Sequence, residues 1–532
     1  MKRDHKFRML LLPLFVSLAS CGGGGGGGSG NGGNGGGNGG FPGGTTWQSG
    51  VFQPSSNFEA KCANPRPGTT DRLGTVTDQN NWLRSWTNEL YLWYGEVTDR
   101  DPALYTTDAY FKLLKTNAIT ASNAPKDKFH FVYPTDVWQA LSQGGIEAGF
   151  GAEFAVLAPL PPRRIVVAYT DPNTTAATNL ARGDEILTVD GVDAVNGGTQ
   201  ANVDVINAGL FPDSTGESHV FMVRNTAGVT RSVTMVSASI THSPVPIYTT
   251  FPSASGDVGY IQFNDHIATA ETPLITAINA LKTANVTDLI LDVRYNGGGY
   301  LDMASELAFM VGNTTLLTGK TFEKIVFNDK NPSQNPVTGE ILAPTPFWTK
   351  TQGFAGAGTA GVNLPTLNLT RVYIITGPGT CSASESIINS LRGAGVEVFL
   401  IGSTTCGKPY GFYPEDNCST TYFTIQFRGE NAANFGDYTD GFSPLNTTNN
   451  AGTTVAGCSV ADDFTHPMGD MTEGRIAAAL AYRASNNQTC PTASGVSPPP
   501  QLGKASMFGE LEGRGLWVSK PAARQNRIIR RM

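Results

Sequence analysis

Charge is scarce in this chain. Only 15% of its 532 residues are Asp, Glu, Lys or Arg, against about 25% in an average soluble protein. What charge there is leans acidic, with a formal net of −7 and a pI near 5.5. A nucleic-acid binder carries a basic domain or stripe, so that class is disfavoured and no nucleic-acid partner is expected. Beyond the first twenty residues no run of ~18 apolar residues occurs, so no later segment is expected to span a bilayer. Histidine is rare, at six residues, and no Cys/His spacing resembles a zinc site. Glycine, in contrast, is abundant: 63 residues, against a usual ~7%. No G-x-y period accompanies it, which excludes collagen. Val/Ile/Leu-rich runs recur to the C-terminus and hydrophobic residues make up 40%, so a wholly disordered chain is also excluded. At ~150 residues per domain, the length allows three or four domains.

Residues 1–20 read as a signal peptide. Lys2, Arg3, Lys6 and Arg8 form a positive start, and Met9 to Leu18 is an apolar stretch too short for a typical spanning helix. The following Leu18-Ala19-Ser20-Cys21 resembles a bacterial lipobox, in which the Cys is cleaved and acylated. Several acyl chains on Cys21 would anchor the chain stably. Gly22 follows, not Asp, which by resemblance to Gram-negative lipoproteins points to the outer membrane, facing the periplasm. Residues 22–44 hold seventeen Gly among 23 positions. Such a stretch buries no core and serves as a flexible tether.

Segment 45–143 is expected to be a small helical N-terminal domain. Gln79 to Tyr94 places Trp82, Trp86, Leu90 and Trp93 at i, i+4, i+8 and i+11, an aromatic face of an amphipathic helix. Packing explains that stripe better than a ligand cage does. Thr107 to Thr116 and Thr135 to Leu141 read as further helices. From 144 to 240 the pattern changes to short strands and turns, with Arg164 to Thr170 a strand and an Asp190-Gly191 turn. Val203 to Ala208 reads as a helix, and 219–224 with 229–236 as a hairpin. The stretch ARGDEILTVDG (181–191) and the preceding AGFGAEF (148–154) resemble a PDZ domain. Such a domain adds a peptide as an extra strand and captures its carboxylate with loop N–H groups. Here that loop is Gly149-Phe150-Gly151.

Over 241–490 strands and helices alternate, as in βαβ units around a mixed sheet. Expected strands are Val258 to Phe263, Leu289 to Val293, Arg371 to Thr376, Glu397 to Ile401 and Thr420 to Phe427. Expected helices are Glu271 to Ala284, Tyr300 to Val311, Ser382 to Arg392 and Glu473 to Ala484. The chemistry concentrates after three of these strands, where α/β sites usually sit. Cys381-Ser382-Ala383 lies at a strand-to-helix junction, so the Ser382 hydroxyl faces a helix N-terminus that favours developing negative charge. A serine nucleophile needs a base. No histidine lies near, and Lys408 in TTCGKP can serve if burial disfavours its ammonium. Gly297-Gly298-Gly299 allows close backbone approach, so an N–H there could complete an oxyanion hole.

Singly, each signal is weak. A helix-capping Ser is ordinarily a cap and a Gly triplet is ordinarily a turn. In order they become specific: the PDZ-like stretch, LILDVRYNGGG, SASE, then TTCGKP with Lys408 twenty-six residues after Ser382. That order resembles the C-terminal-processing peptidases (tail-specific proteases), serine peptidases with a Ser/Lys dyad, over about 76–490. The resemblance implies a multi-domain α+β protein whose ClpP/crotonase-like α/β core performs acyl transfer, with no cofactor. It makes Ser382 the nucleophile, Lys408 the general base, and Gly297 or Gly298 with Ala383 the oxyanion donors. Many members carry a Gln four residues after the Lys, where this chain has Phe412. Gln426 is a possible substitute as third member. Glu385 matches the family's Glu and is expected to structure the helix start.

The resemblance implies a lipid-anchored periplasmic endopeptidase acting on protein or peptide substrates. The rival is a catalytically inactive, PDZ-bearing peptide-binding lipoprotein, which Phe412 favours. With Cys21 acylated, six cysteines remain, an even number that suggests disulfides outside the cytoplasm. Cys406–Cys418 is the favoured pair because the segment between them is short and turn-like. Any pair using Cys381 or Cys406 would brace the strand ends bearing Ser382 and Lys408. Cys381 as nucleophile is a weaker reading, lacking a His/Asn partner. His266 is expected to be structural. The tail 491–532 starts near Pro498-Pro499-Pro500, and its last 32 residues hold seven Lys/Arg against two Glu, a basic and flexible end.

Overall fold

The computed structural model describes residues 47–354 and 358–495, with the backbone of Arg527–Ile528. The leader, Cys21 and the glycine tether lie outside the described residues, as does most of the basic tail. No helix among the described residues is long and apolar enough to cross a membrane.

A six-stranded sheet organises the C-terminal half. Its order is Ile247–Phe251, Val258–Gln262, Asp288–Asp292, Arg371–Thr376, Glu397–Gly402 and Gly457–Ser459. The first pair is antiparallel and the rest are parallel. Parallel strands need crossover helices on their faces, so the strands are buried on both sides and read as continuous apolar runs. LIL (289–291) and VYII (372–375) are such runs, and every residue in them is buried. The helices Glu271–Thr283, Leu301–Val311 and Ala383–Ala394 cover one face, packing Leu274, Leu307 and Ile388 against Leu291 and Ile374. Gly474–Ala484 covers the other through Ile476 and Tyr482. All but one of the expected strands and helices of this region form, with ends shifted by one or two residues.

One strand differs. Thr420 to Phe427 divides into Thr420–Phe423 and Phe427–Glu430, which join different sheets. Residues between them turn to other partners: the Leu92 N–H donates to the Ile425 carbonyl, and Gln426 bonds across to Tyr413.

The N-terminal helices form as expected, but the segment shares its packing with the sheet domain. Val76–Leu90 opens with a capping box between Thr75 and Asp78. Trp82 and Trp86 are buried and stacked at 5.1 Å, so the aromatic stripe is core. Trp93 falls past the helix end and meets the Tyr410 ring edge-on at 4.7 Å. Phe131–Pro134 pairs antiparallel with Thr420–Phe423, and Cys62 is disulfide-bonded to Cys418.

Residues 146–241 form a β-rich unit. Its strands run Thr230–Val236, Ser218–Arg224, Glu185–Val189, Arg164–Thr170 and Ala152–Ala158, the last an edge. The helix Gln200–Leu210 packs on them through Val203, Ile206 and Leu210. A cavity of about 140 Å³ lies beside the edge strand, lined by Gly149, Phe150, Gly151, Leu210 and Phe211 among others. The expected carboxylate loop therefore borders a hollow. Phe150 itself is buried, edge-on to Phe221. The unit meets the sheet domain through Arg182, which donates to Asp462 (2.7 Å) and to the Tyr295 hydroxyl (2.9 Å).

Candidate active site

Three adjacent parallel strands deliver the expected residues from their carboxyl ends. Asp288–Asp292 leads to Asn296-Gly297-Gly298-Gly299, Arg371–Thr376 leads to Ser382, and Glu397–Gly402 leads to Lys408. The loops are laced together by backbone bonds. Cys381 N–H donates to the Asn296 carbonyl (3.1 Å), and Cys406 N–H to the Thr380 carbonyl (3.0 Å).

Ser382 caps the helix Ala383–Ala394 with φ 59° and ψ −114°. That region is almost closed to residues with a Cβ, and it costs of order 1–3 kcal/mol. Ser382 Oγ is buried and has no hydrogen-bond partner. Its N–H donates to Glu385 Oε2 at 2.9 Å. Lys408 N–H donates to the same oxygen at 2.8 Å, while Gly407 N–H donates to Oε1 at 2.8 Å. The Thr405 hydroxyl adds a fourth bond. One carboxylate thus holds the nucleophile turn and the base loop together. Burial pushes the Glu385 carboxyl up from its ordinary range, and the hydrogen bonds it accepts oppose that rise. Glu385 does structure the helix start, and it also does more than that.

Lys408 is fully buried. Its Nζ lies 4.4 Å from the centre of the Phe412 ring and 4.7 Å from that of Phe129. The residue that departs from the family pattern is therefore one wall of the lysine's pocket, and a ring from the N-terminal segment is another. Beside it Lys128 Nζ donates to the Cys406 carbonyl at 2.8 Å, and desolvation lowers its pKa. Gln426, the possible third member, bonds to the backbone of Tyr413. Its Oε1 accepts from Tyr413 N–H (3.0 Å) and its Nε2 donates to the Tyr413 carbonyl (3.2 Å). Each end of the amide thus bonds to one backbone residue.

The glycine loop hangs on Asn296. Asn296 Oδ1 accepts from Gly298 N–H and from His266 Nδ1, both at 2.9 Å, and Nδ2 donates to the Phe263 carbonyl at 2.9 Å. The Gly298 N–H is thereby engaged, which of the two expected oxyanion glycines favours Gly297. Gly297 N–H has no hydrogen bond among the described residues. Ala383 is the first residue of its helix, where the backbone N–H has no intrahelical acceptor. Gly299 has φ 138°, and a Cβ there would stand 2.5 Å from the His266 carbonyl oxygen. His266 is buried, with its pKa pushed down to about 3 by burial. It is a neutral brace for Asn296, as expected of a structural histidine.

The disulfides are Cys62–Cys418, Cys381–Cys406 and Cys458–Cys490. The expected Cys406–Cys418 pair does not form. Cys418 sits at the tip of the hairpin joining Glu415–Asn417 to Thr420–Phe423, which carries it to Cys62. Cys406 turns back to Cys381, so the expected brace across the two strand ends is present. Cys381, Glu385 and Cys406 have the proximity of a metal-ligand group, but the disulfide uses both sulfurs.

Residues 257–411 match the sequence profile of peptidase family S41. The chain carries a peptidase family S41 domain. That stretch contains Gly297, Ser382 and Lys408. The chain is 23% identical over 272 residues to the carboxyl-terminal-processing protease of Picosynechococcus sp., covering 50% of this chain and 56% of that protein. It thus spans little more than half the length of that relative. A Bacteroides fragilis protein assigned as an S41 protease superposes with a TM-score of 0.54 at 19% identity, over 80% of this chain and 100% of the other. The photosystem II D1 C-terminal processing protease aligns with a TM-score of 0.42 at 18% identity, over 70% and 92%. The mixed α+β fold resembles that of the Bacteroides fragilis protein. Asn296, Phe129 and Lys128 were not legible as site residues, because each gains its role from a chain segment distant in sequence.

Proposed function

We propose that this protein is a serine endopeptidase working through Ser382 and Lys408. One observation carries the reading: Ser382 and Lys408, from neighbouring strand ends, donate their N–H groups to one buried carboxylate oxygen, while the Ser382 hydroxyl stays unbonded. In the reaction, Lys408 as free amine takes the Ser382 proton as Oγ attacks a peptide carbonyl carbon. Gly297 and Ala383 N–H groups hold the oxyanion. The Lys408 ammonium then gives its proton to the leaving amine, and water resolves the acyl-enzyme by the same route in reverse. Removal of Lys408 from water favours the free amine.

An extended peptide can enter as an added strand. The chain's own Arg527–Ile528 backbone pairs in parallel with Gly299–Tyr300, beside the oxyanion loop, and this supports such an edge. The 146–241 unit is read as a PDZ-like module that captures substrate C-termini at the Gly149-Phe150-Gly151 hollow. Cys21 is read as the lipid anchor that holds the enzyme on the outer membrane, facing the periplasm; Cys21→Ser is expected to release it from membranes.

The test is hydrolysis of fluorescein-labelled casein by the full chain, by Ser382→Ala and by Lys408→Ala. Turnover by the parent and none by either variant is expected; equal turnover by all three refutes the dyad. The commitment of Gln426 to Tyr413 favours the second reading, an inactive peptide-binding lipoprotein. That reading expects labelled peptides to bind while the parent leaves casein intact.

A further inference from the structure

The Cys381–Cys406 bridge joins the two loops that carry the residues that would react. Cys381 directly precedes Ser382, and Cys406 is two residues before Lys408. Their Cα atoms are 5.2 Å apart, and the bond closes a loop of sequence separation 25. The other two disulfides tie different regions: Cys62–Cys418 joins the N-terminal segment to a hairpin, and Cys458–Cys490 joins the last sheet strand to the stretch beyond the final helix.

The local bonds explain why a clamp matters here. Ser382 is held at a strained φ of 59°, and such a conformation persists only where the surroundings over-determine it. The Glu385 bonds to Ser382, Gly407 and Lys408 are the noncovalent part of that restraint. The Cys406 sulfur lies 3.5 Å from Glu385 Oε2, the oxygen that accepts both the Ser382 and Lys408 N–H groups. A free thiol at Cys406 would donate to that oxygen and compete with them. Opening the bridge thus removes the covalent restraint and also weakens the shared carboxylate contact.

We propose that Cys381 and Cys406 are positioning residues of the reaction, so that hydrolysis requires the intact bridge and a dithiol reductant switches it off in the folded protein. Cys406 is partly exposed and Cys381 is buried, so the reductant's thiolate attacks Cys406 Sγ. The Sγ–Sγ bond breaks and Cys381 leaves as thiolate. The reductant's second thiol then displaces Cys406, forming the reductant's own disulfide. Two electrons and two protons pass from the dithiol to the two cysteines. The proposal rests on the Ser382/Lys408 reading.

The experiment compares the full chain before and after dithiothreitol, the variant Cys381→Ala/Cys406→Ala, and the control Cys458→Ala/Cys490→Ala. Fluorescein-casein kinetics and amide hydrogen exchange are both read. The parent is expected to lose at least tenfold in kcat on reduction, with KM within about twofold, and to regain it on reoxidation. The 381/406 variant should start at the low kcat and ignore dithiothreitol, while the 458/490 variant should respond like the parent. A 381/406 variant with parental kcat, or one still sensitive to the dithiol, overturns the proposal. Hydrogen exchange separates this outcome from failure of the peptidase reading. Even if casein is never cleaved, reduction should speed exchange over 404–411 while leaving 371–376 protected. Unchanged exchange over 404–411 refutes the clamp by itself.

Discussion

Asn296 gives the most exacting test of the site. Its side chain makes three buried bonds at 2.9 Å, to Gly298 N–H, His266 Nδ1 and the Phe263 carbonyl. The variant Asn296→Ala leaves two donors and one acceptor without partners. Each orphaned buried group costs about 1–3 kcal/mol, and water entering the space left behind pulls the sum toward the lower end. A loss of about 3–5 kcal/mol is expected, a large share of the ~5–15 kcal/mol that holds a domain together. The same change frees Gly298 N–H and lets Gly297 drift from the oxyanion position proposed for it. Losing one oxyanion donor costs about 10²–10³ in kcat. Urea denaturation at pH 8 measures the first effect and casein kinetics on the remaining folded protein the second. A variant within ~1 kcal/mol of the parent would falsify the hub assignment. A destabilised variant with parental kcat would confine Asn296 to folding.

Two further outcomes follow from buried charge. His266 and His130 are neutral in the folded chain, with burial pushing their pKa values down to about 3 and about 4. Unfolding therefore takes up protons below the ordinary histidine value of about 6.5. Their contribution is complete above that pH and declines as pH falls toward 4, by about 1.4 kcal/mol per pH unit for each histidine; a urea midpoint unchanged from pH 7 to pH 5 contradicts this. Arg294 is buried among Asp292, Asp462 and Glu473, with contacts of 2.7–2.8 Å. Arg294→Met leaves Asp292 and Glu473 without their counter-ion, while Asp462 keeps Arg182, and is expected to cost about 3–5 kcal/mol. An unchanged thermal midpoint contradicts that expectation.

Local order in the sequence determined a great deal. Strand and helix periods, the glycine loop, the Ser at a helix start and the Lys after the next strand are patterns within a dozen residues, where spacing alone dictates geometry. They were enough to place Ser382, Lys408 and Gly297 at the ends of sheet strands. Tertiary structure decided what links residues far apart. Phe129 walls Lys408 from nearly three hundred residues away, and Cys62 reaches Cys418. Asn296 ties the glycine loop to His266 and Phe263 on another strand's loop, and Gln426 bonds to Tyr413. These outcomes depend on which groups meet when loops from separate strands converge. Burial then makes every unmet donor or acceptor costly, so the packed arrangement, not the order of residues, settles each pairing.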